Sequence, residues 1–279
     1  MGPRTALITT VRRQHDEVID QVSGFSLGAV VPDFHVVIAL ADRTVTQGRL
    51  PITSDRWKTL IDGLPTVKQQ LPTARALQLG VETAVDAGAE LLVLVDVTCI
   101  PGPRFLEKLV EHIEGTQHAG PTLWAPTVQR LRPPPPEGYE FTRLEEWVRT
   151  AHPHPLHVVP PELGEVDLDP DQFSSPCLAV LADDLAAVGG LCADYVGGMG
   201  HDTDLAAAVT AAGGAVRLVP GATVYRQHHS TQVPDAPHVA SATRDAYLYR
   251  ERWGRWPTAP WLTELVEAGL VSLEEDRAG

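Results

Sequence analysis

Three stretches of the chain carry side chains whose types and spacing could do chemistry. The first is Leu94-Val-Asp-Val-Thr-Cys-Ile-Pro-Gly-Pro103, in which Asp96 closes an apolar run. A carboxylate at the end of a buried strand either bonds its own loop or faces a ligand, and functional residues concentrate on such loops. The second runs from Gly189 to Leu205 and sets Gly189, Gly190, Gly197, Gly198 and Gly200 ahead of His201, Asp202 and Asp204. Acids at a helix start complement its dipole and cap free N–H groups, which accounts for one of the two aspartates. Two acids and a His behind a run of glycines exceed what capping needs, so a general base held on a tight backbone is the sharper expectation. The third is Tyr225-Arg-Gln-His-His229, which ends a strand pattern. On a strand His228 and His229 point to opposite faces, so only one can face a site.

These residues need elements to hold them. Residues 4–11, 34–40 and 90–97 are apolar, and the last is continuously so, as expected of a strand covered on both faces. Helical patterns run through Val18, Ile19, Val22 and Phe25, over 72–87, and from Pro103 through Ile113. This alternation over the first 115 residues predicts an α/β fold with a mostly parallel sheet flanked by helices. Ligands in such sheets sit beyond the carboxyl ends of the strands, so Thr9–Arg12, Ala41–Asp42 and Asp96–Cys99 should converge. Further on, 132–138 reads as a polyproline-like loop and 152–172 as a second long loop. A strand over 173–181, helices over 183–188 and 202–212, and one or two strands over 215–227 follow. Two more helical patterns lie around 238–252 and 258–270.

Taken in order, these stretches resemble GT-A fold glycosyltransferases of the family 2 type, particularly the actinobacterial group with a galactosyltransferase-like C-terminal part. Asp96-Val-Thr-Cys-Ile-Pro-Gly-Pro103 is similar to the family's Asp-Val-Asp-Cys-Ile-Pro-Gly-Pro, its Asp-x-Asp motif. Residues 189–205 are similar to its Gly-Gly-Phe-(x)-Tyr-x-Gly-x-Gly-x-Glu-Asp-x-Asp, and Tyr225–His229 to its Tyr-His-Gln-His-His. Arg252-Trp-Gly-Arg-Trp-Pro257 with Trp261-Leu262 is similar to its C-terminal signature.

The resemblance implies one GT-A (Rossmann-like) domain over 1–279, with a nucleotide-sugar half over 1–125, an acceptor and catalytic half over 126–235, and a helical extension over 236–279. It implies hexosyl transfer from a nucleotide-diphosphate sugar, UDP-sugar foremost, to an acceptor hydroxyl with inversion. Asp202 would be the general base. Thr9, Thr10, Val11, Arg12 and Asp42 would form the nucleotide pocket, and Asp96, Thr98 and Arg226 would face ribose and diphosphate. A divalent cation, Mn2+ or Mg2+, would sit on Asp96 and His228. The acceptor would be a carbohydrate, a lipid-linked sugar or a small molecule, and the enzyme a cytoplasmic protein compatible with a homodimer.

Four positions depart from the family pattern. Thr98 replaces the second Asp, His201 the Glu before the base, Arg226 the first His, and Leu77-Gln78 an Arg-Asn pair, with Arg75 nearby. Mn2+ and Mg2+ prefer carboxylate oxygens, and Thr98 offers a neutral hydroxyl. One expectation is therefore that Arg226 supplies charge to the diphosphate in place of metal, since Arg suits bidentate phosphate contact. Another is a protein of the same fold that binds nucleotide sugar or glycan without turnover. A nucleotidyltransferase would need a basic loop after its first strand, of which Arg12-Arg13 is a faint version.

Composition removes other classes. The 279 residues carry a net charge of −14, which argues against nucleic acid or anionic lipid as a partner. No apolar run approaches the roughly 20 residues of a membrane span, and the first residues lack the apolar core of a signal peptide. Cys99, Cys177 and Cys192 show no CxxC spacing and are expected as reduced thiols. His152, His154 and His157 alternate in a Pro-rich loop, where solvation is a better account than a metal clip. Trp253, Trp256 and Trp261 fit either helix packing or stacking on a sugar. The charge is uneven, because residues 150–216 hold 10 acids and no Lys or Arg. If that excess faces the acceptor, the acceptor should be neutral or cationic.

Overall fold

The computed structural model describes residues 2–65, 71–136, 138–139, 144–153, 166–228 and 234–273. Its strands are β1 (Thr5–Val11), β2 (Phe34–Leu40), β3 (Lys58–Leu64), β4 (Leu91–Val95), β5 (Cys99–Pro101), β6 (Thr122–Arg130), β7 (His152–Pro153), β8 (Cys177–Leu181) and β9 (Ala215–Arg226). They form one sheet in the order β3-β2-β1-β4-β8-β6-β9-β5, with β7 paired to β6. The first four run parallel. β8 is antiparallel to both β4 and β6, so β6 points the same way as β4. β9 is parallel to β6 and β5 antiparallel to β9. The sheet is thus mostly parallel, as expected, with β8 inserted antiparallel between β4 and β6 and β5 antiparallel at the edge. The consequence for function is that β1, β2, β4, β6 and β9 all end on one edge.

Helices cover both faces: α1 (His15–Ser26), α2 (Arg43–Thr46), α3 (Thr73–Asp86), α4 (Phe105–Gly115), α5 (Leu144–Arg149), α6 (Ala182–Ala187), α7 (His201–Ala211), α8 (Ala236–Trp253) and α9 (Pro260–Glu267). The two-residue period of the strands sorts their side chains between two cores. Leu7, Val93 and Trp124 join Val22 and Phe25 of α1 and Leu109 of α4. Ile8, Leu92 and Leu123 join Leu77 and Val81 of α3 and Leu205 of α7. The C-terminal helices pack on each other through Ala242, Ala246, Trp261 and Leu265, with Met199 against them.

α1 comes unusually close to β5. A Cβ at Gly24 would lie 2.2 Å from Ile100 Cγ2, so only glycine permits the approach. Gln21 uses it, donating from Nε2 to the carbonyls of Asp96 (3.0 Å) and Cys99 (3.1 Å). The loop after β4 is thereby fixed by a fully buried glutamine.

Several elements differ from expectation. β3 is an edge strand of intermediate exposure, so its apolar signal is weak. The strand expected over 173–181 starts at Cys177, and Pro176 makes the turn into it. Pro103 does not open α4, which starts at Phe105. β9 is a single 12-residue strand whose register against β6 shifts at Pro126/Thr127. Residue 125 lies inside β6, so the expected boundary between halves falls within a strand. Of the loop over 152–172, His152 belongs to β7 and Asp167 bridges to Arg217, while His154 and His157 lie outside the described residues.

Candidate active site

A cavity of about 330 Å3 opens at the shared edge of the strands and is lined by Thr10, Asp96, Arg130, Asp202, Arg226 and Trp261, among others. Thr10 comes from β1, Asp96 from the end of β4, Arg130 from β6, Arg226 from β9, Asp202 from α7 and Trp261 from α9. Four of these were expected at the site from sequence, and the fold brings them into one space.

Asp96 sits in a tight turn. Its Oδ1 accepts from the backbone N–H of Thr98 (2.8 Å) and from the Thr98 hydroxyl (2.5 Å). The Thr98 side chain is buried and does not line the cavity, so it acts on Asp96 rather than on a ligand. Oδ2 of Asp96 has no hydrogen-bond partner among the described residues.

Asp202 is the second residue of α7 and is 6% exposed. Its Oδ2 accepts from Ser175 N–H (2.8 Å) and its Oδ1 from Thr203 N–H (2.9 Å). These bonds fix the carboxylate while leaving lone pairs for a further proton or donor. Gly200, at the N-cap, has φ +78°, and a Cβ there would crowd Tyr195 and Trp261 at 3.0 and 3.2 Å. The glycine therefore sets both the backbone turn and the entry of α7. His201, beside Asp202, also lines the cavity.

Asp204, two residues on, has a separate task. Its Oδ1 accepts from Arg252 Nε (2.7 Å), Trp253 Nε1 (2.8 Å) and Tyr195 OH (3.1 Å). It ties α7 to α8 instead of capping the helix, and Thr203 between them receives Trp261 Nε1 (3.1 Å). Trp253 and Trp256 are accordingly packing residues. Trp256 lies against Tyr247 and beneath the Arg250 guanidinium. Trp261 packs and also walls the cavity, with Glu264 one turn later on α9.

The remaining expected residues fall around this centre. Val11 is core and can offer only backbone. Thr9 is fully buried, its hydroxyl without a partner among the described residues. Arg12 is exposed and lines a neighbouring cavity of about 540 Å3 that shares Gly198 and Met199 with the first. Asp42 is buried under its own bonds, from Arg13 N–H (2.8 Å), His15 Nε2 (2.8 Å) and Thr44 N–H (3.0 Å). Burial pushes its carboxyl upward, but the Arg13 and Val45 amides and His15 outweigh this and hold it below the usual carboxylate range. Both turns that meet at Asp42 place a non-glycine residue in the left-handed region, Arg13 at φ 61° and Ala41 at φ 52°. Asp42 thus shapes the turns after β1 and β2.

His228 is not brought to the cavity. β9 ends at Arg226, the His228 N–H binds Tyr139 OH (2.9 Å), and the exposed His228 is not among the residues that line the cavity. His229 lies outside the described residues. Gln78 accepts from Leu191 N–H (3.0 Å) and so supports the glycine loop, while Arg75 is exposed and does not line the cavity.

Arg130 had no signal in the sequence because β6 was not expected. Its register partner in the parallel pair with β9 is Arg226, so the two project from the same face. Among the described residues the Arg226 guanidinium has neither a hydrogen bond nor an ion pair.

This donor set does not fit a protein-bound Mn2+ or Mg2+. Asp96, His201, Asp202 and Glu264 line the cavity, but the Asp202 oxygens already accept two backbone N–H groups, the Thr98 hydroxyl is spent on Asp96, and Arg130 and Arg226 line the same space. Among the described residues no three His, Cys, Asp or Glu side chains cluster as metal ligands. Cys99 and Cys177 are buried thiols pushed upward by burial, and Cys192 is half-buried.

No protein-family model matches the sequence, and no curated protein matches it. Solved structures do match. GalNAc-T7 with UDP, GalNAc and Mn2+ superposes at TM-score 0.65 and 12% identity, over 99% of this chain and 53% of that one. A TarS fragment from S. aureus with UDP-GlcNAc gives 0.60 and 10%, over 88% and 66%. The mannosyltransferase PcManGT from Pyrobaculum calidifontis with GDP-Man and Mn2+ gives 0.56 and 16%, over 97% and 70%. The chain spans about half of GalNAc-T7 and just under two thirds of TarS. What these share with the chain is the fold, and it is the GT-A glycosyltransferase fold.

Proposed function

We propose that the protein is a glycosyltransferase that moves a sugar from a nucleotide diphosphate, a UDP-sugar foremost, to an acceptor hydroxyl. One observation carries this: Asp96 and Asp202, from opposite halves of the chain, face one cavity at the carboxyl edge of the sheet. Asp96 Oδ2 is placed to accept from a donor hydroxyl. Arg226, which lines the same cavity, would meet the charge that the diphosphate gains as it leaves. Asp202, oriented by Ser175 and Thr203, takes the proton as the acceptor oxygen bonds to the anomeric carbon and the bond to the diphosphate breaks. A single base on the acceptor side suits direct displacement, and hence inversion.

The acceptor reading from charge narrows. Asp167, Asp171 and Asp204 pair with Arg217, Arg255 and Arg252, so part of the acidic excess is neutralised by the C-terminal region. Of that span Asp202 lines the cavity, where Glu264 of α9 joins it, and the two still favour a neutral or cationic acceptor. No described helix is long and apolar enough to cross a membrane.

Calorimetric titration with UDP-, GDP- and dTDP-sugars, followed by hydrolysis and transfer assays, tests the proposal. Asp202→Asn should keep donor affinity and lose about 100- to 10,000-fold in turnover. A second reading, a protein of the same fold that binds the nucleotide sugar without turnover, is favoured by Thr98 standing where the resembled motif has its second Asp. Donor binding with no turnover in either form would establish that reading.

A further inference from the structure

We infer that Arg130 and Arg226 together clamp the donor diphosphate and supply the charge that a divalent cation would otherwise provide. This rests on the proposed glycosyl transfer and adds the residue that was invisible in the sequence. Arg130 and Arg226 are directly paired in register on adjacent parallel strands, which puts their backbones about 4.8 Å apart with both side chains on one face. Both line the cavity that Asp96 lines. Two guanidinium groups together carry the charge of one divalent cation.

The clamp is fixed relative to Asp96. Gln227 N–H donates to the Thr98 carbonyl (2.8 Å), and Leu131 N–H donates to the Arg226 carbonyl (2.9 Å). The strand ends that carry Arg130 and Arg226 are therefore tied to each other and to the Asp96 turn. The planar fork of each guanidinium can take two oxygens of one phosphate, so the pair matches two linked phosphates. As the anomeric carbon–oxygen bond breaks, the electron pair stays on the diphosphate oxygen and its added charge faces both groups.

The test is calorimetry with inorganic pyrophosphate, UDP and uridine, in EDTA and in Mn2+, on the unaltered protein, Arg130→Ala, Arg226→Ala and the matching Lys variants. Pyrophosphate and UDP should bind in EDTA about as tightly as in Mn2+. Each Ala variant should weaken both by about tenfold or more, with uridine affinity and melting temperature unchanged. The Lys variants should recover only part, because the fork is lost. UDP binding that requires Mn2+, or that is indifferent to Arg130→Ala, overturns the clamp. Mn2+-dependent sugar transfer indifferent to both arginines overturns the clamp and leaves glycosyl transfer standing. Metal-free pyrophosphate binding that needs both arginines, with no transfer or hydrolysis of any sugar nucleotide, supports the clamp and removes glycosyl transfer. Absence of binding by pyrophosphate and UDP under every condition overturns both.

Discussion

Thr98 holds Asp96 through two bonds to a single oxygen, its amide at 2.8 Å and its hydroxyl at 2.5 Å. A position that resembles a metal ligand in sequence is thus an orienting group here. Removing the hydroxyl while keeping the shape should leave Asp96 free to rotate. Thr98→Val is expected to raise the donor KM by about tenfold, with Thr98→Ser restoring it. A kcat/KM series on the three forms, with melting curves to confirm folding, checks this.

Asp204 tests the opposite role. It is 2% exposed and receives three donors, two of them from the end of α8. The Arg252 side chain is 39% exposed, so its Coulomb share is small and the hydrogen bonds dominate. Asp204→Ala should cost about 2–4 kcal/mol in urea unfolding. It should also lower turnover, because α7 carries Asp202.

Gly200 permits a third substitution. Ala there must adopt φ +78° and push on Tyr195 and Trp261. The expected loss is about 1–3 kcal/mol, with a fall in kcat that exceeds any change in donor affinity. Unfolding midpoints and steady-state kinetics on the same preparation separate the two effects.

The N-terminal half was legible because its signals are local. β1, β2 and β4 are short apolar runs, and α3 shows a clean helical stripe. Asp96 and Asp202 could be singled out because each stands where an apolar or glycine pattern stops. Arg130 could not. Its strand contains Pro126 and Trp124 and alternates poorly, and its role depends on pairing with a strand almost a hundred residues later. The charge map was incomplete for the same reason, since Asp167, Asp171 and Asp204 find their arginines only in three dimensions. Asp42 was legible as a strand-end acid, but its bonds to Arg13 and His15 were not.

Acid stability should report on His35. It is fully buried on β2, 5.2 Å from Phe25 ring to ring, and burial pushes it down to about 4, with the Ile52 backbone opposing. The unfolded chain takes up a proton near pH 6.5 while the folded chain does so only near 4, so His35 makes stability fall as pH drops through that window. Asp20 and Asp245 act against it. Burial raises both to about 6, helped at Asp20 by Asp16 and Glu17 and resisted at Asp245 by Arg244. The folded state binds those protons first, so their contribution rises as pH falls. A comparison with His35→Leu isolates the histidine. Between pH 7 and pH 4 the stability difference should move by about 3 kcal/mol in favour of the variant.

The insertion of β8 beside β4 also sets an order of assembly. β4 is the sequence Leu-Leu-Val-Leu-Val, and its partner on the far side, Cys177–Leu181, is synthesised much later in the chain. During translation β1, β2, β3 and β4 can pair while the outer edge of β4 stays open. An open, flat, apolar strand edge is a template for other chains. Nascent chains halted between β4 and β8 should therefore require a holding chaperone, and chains extended past β8 should release it.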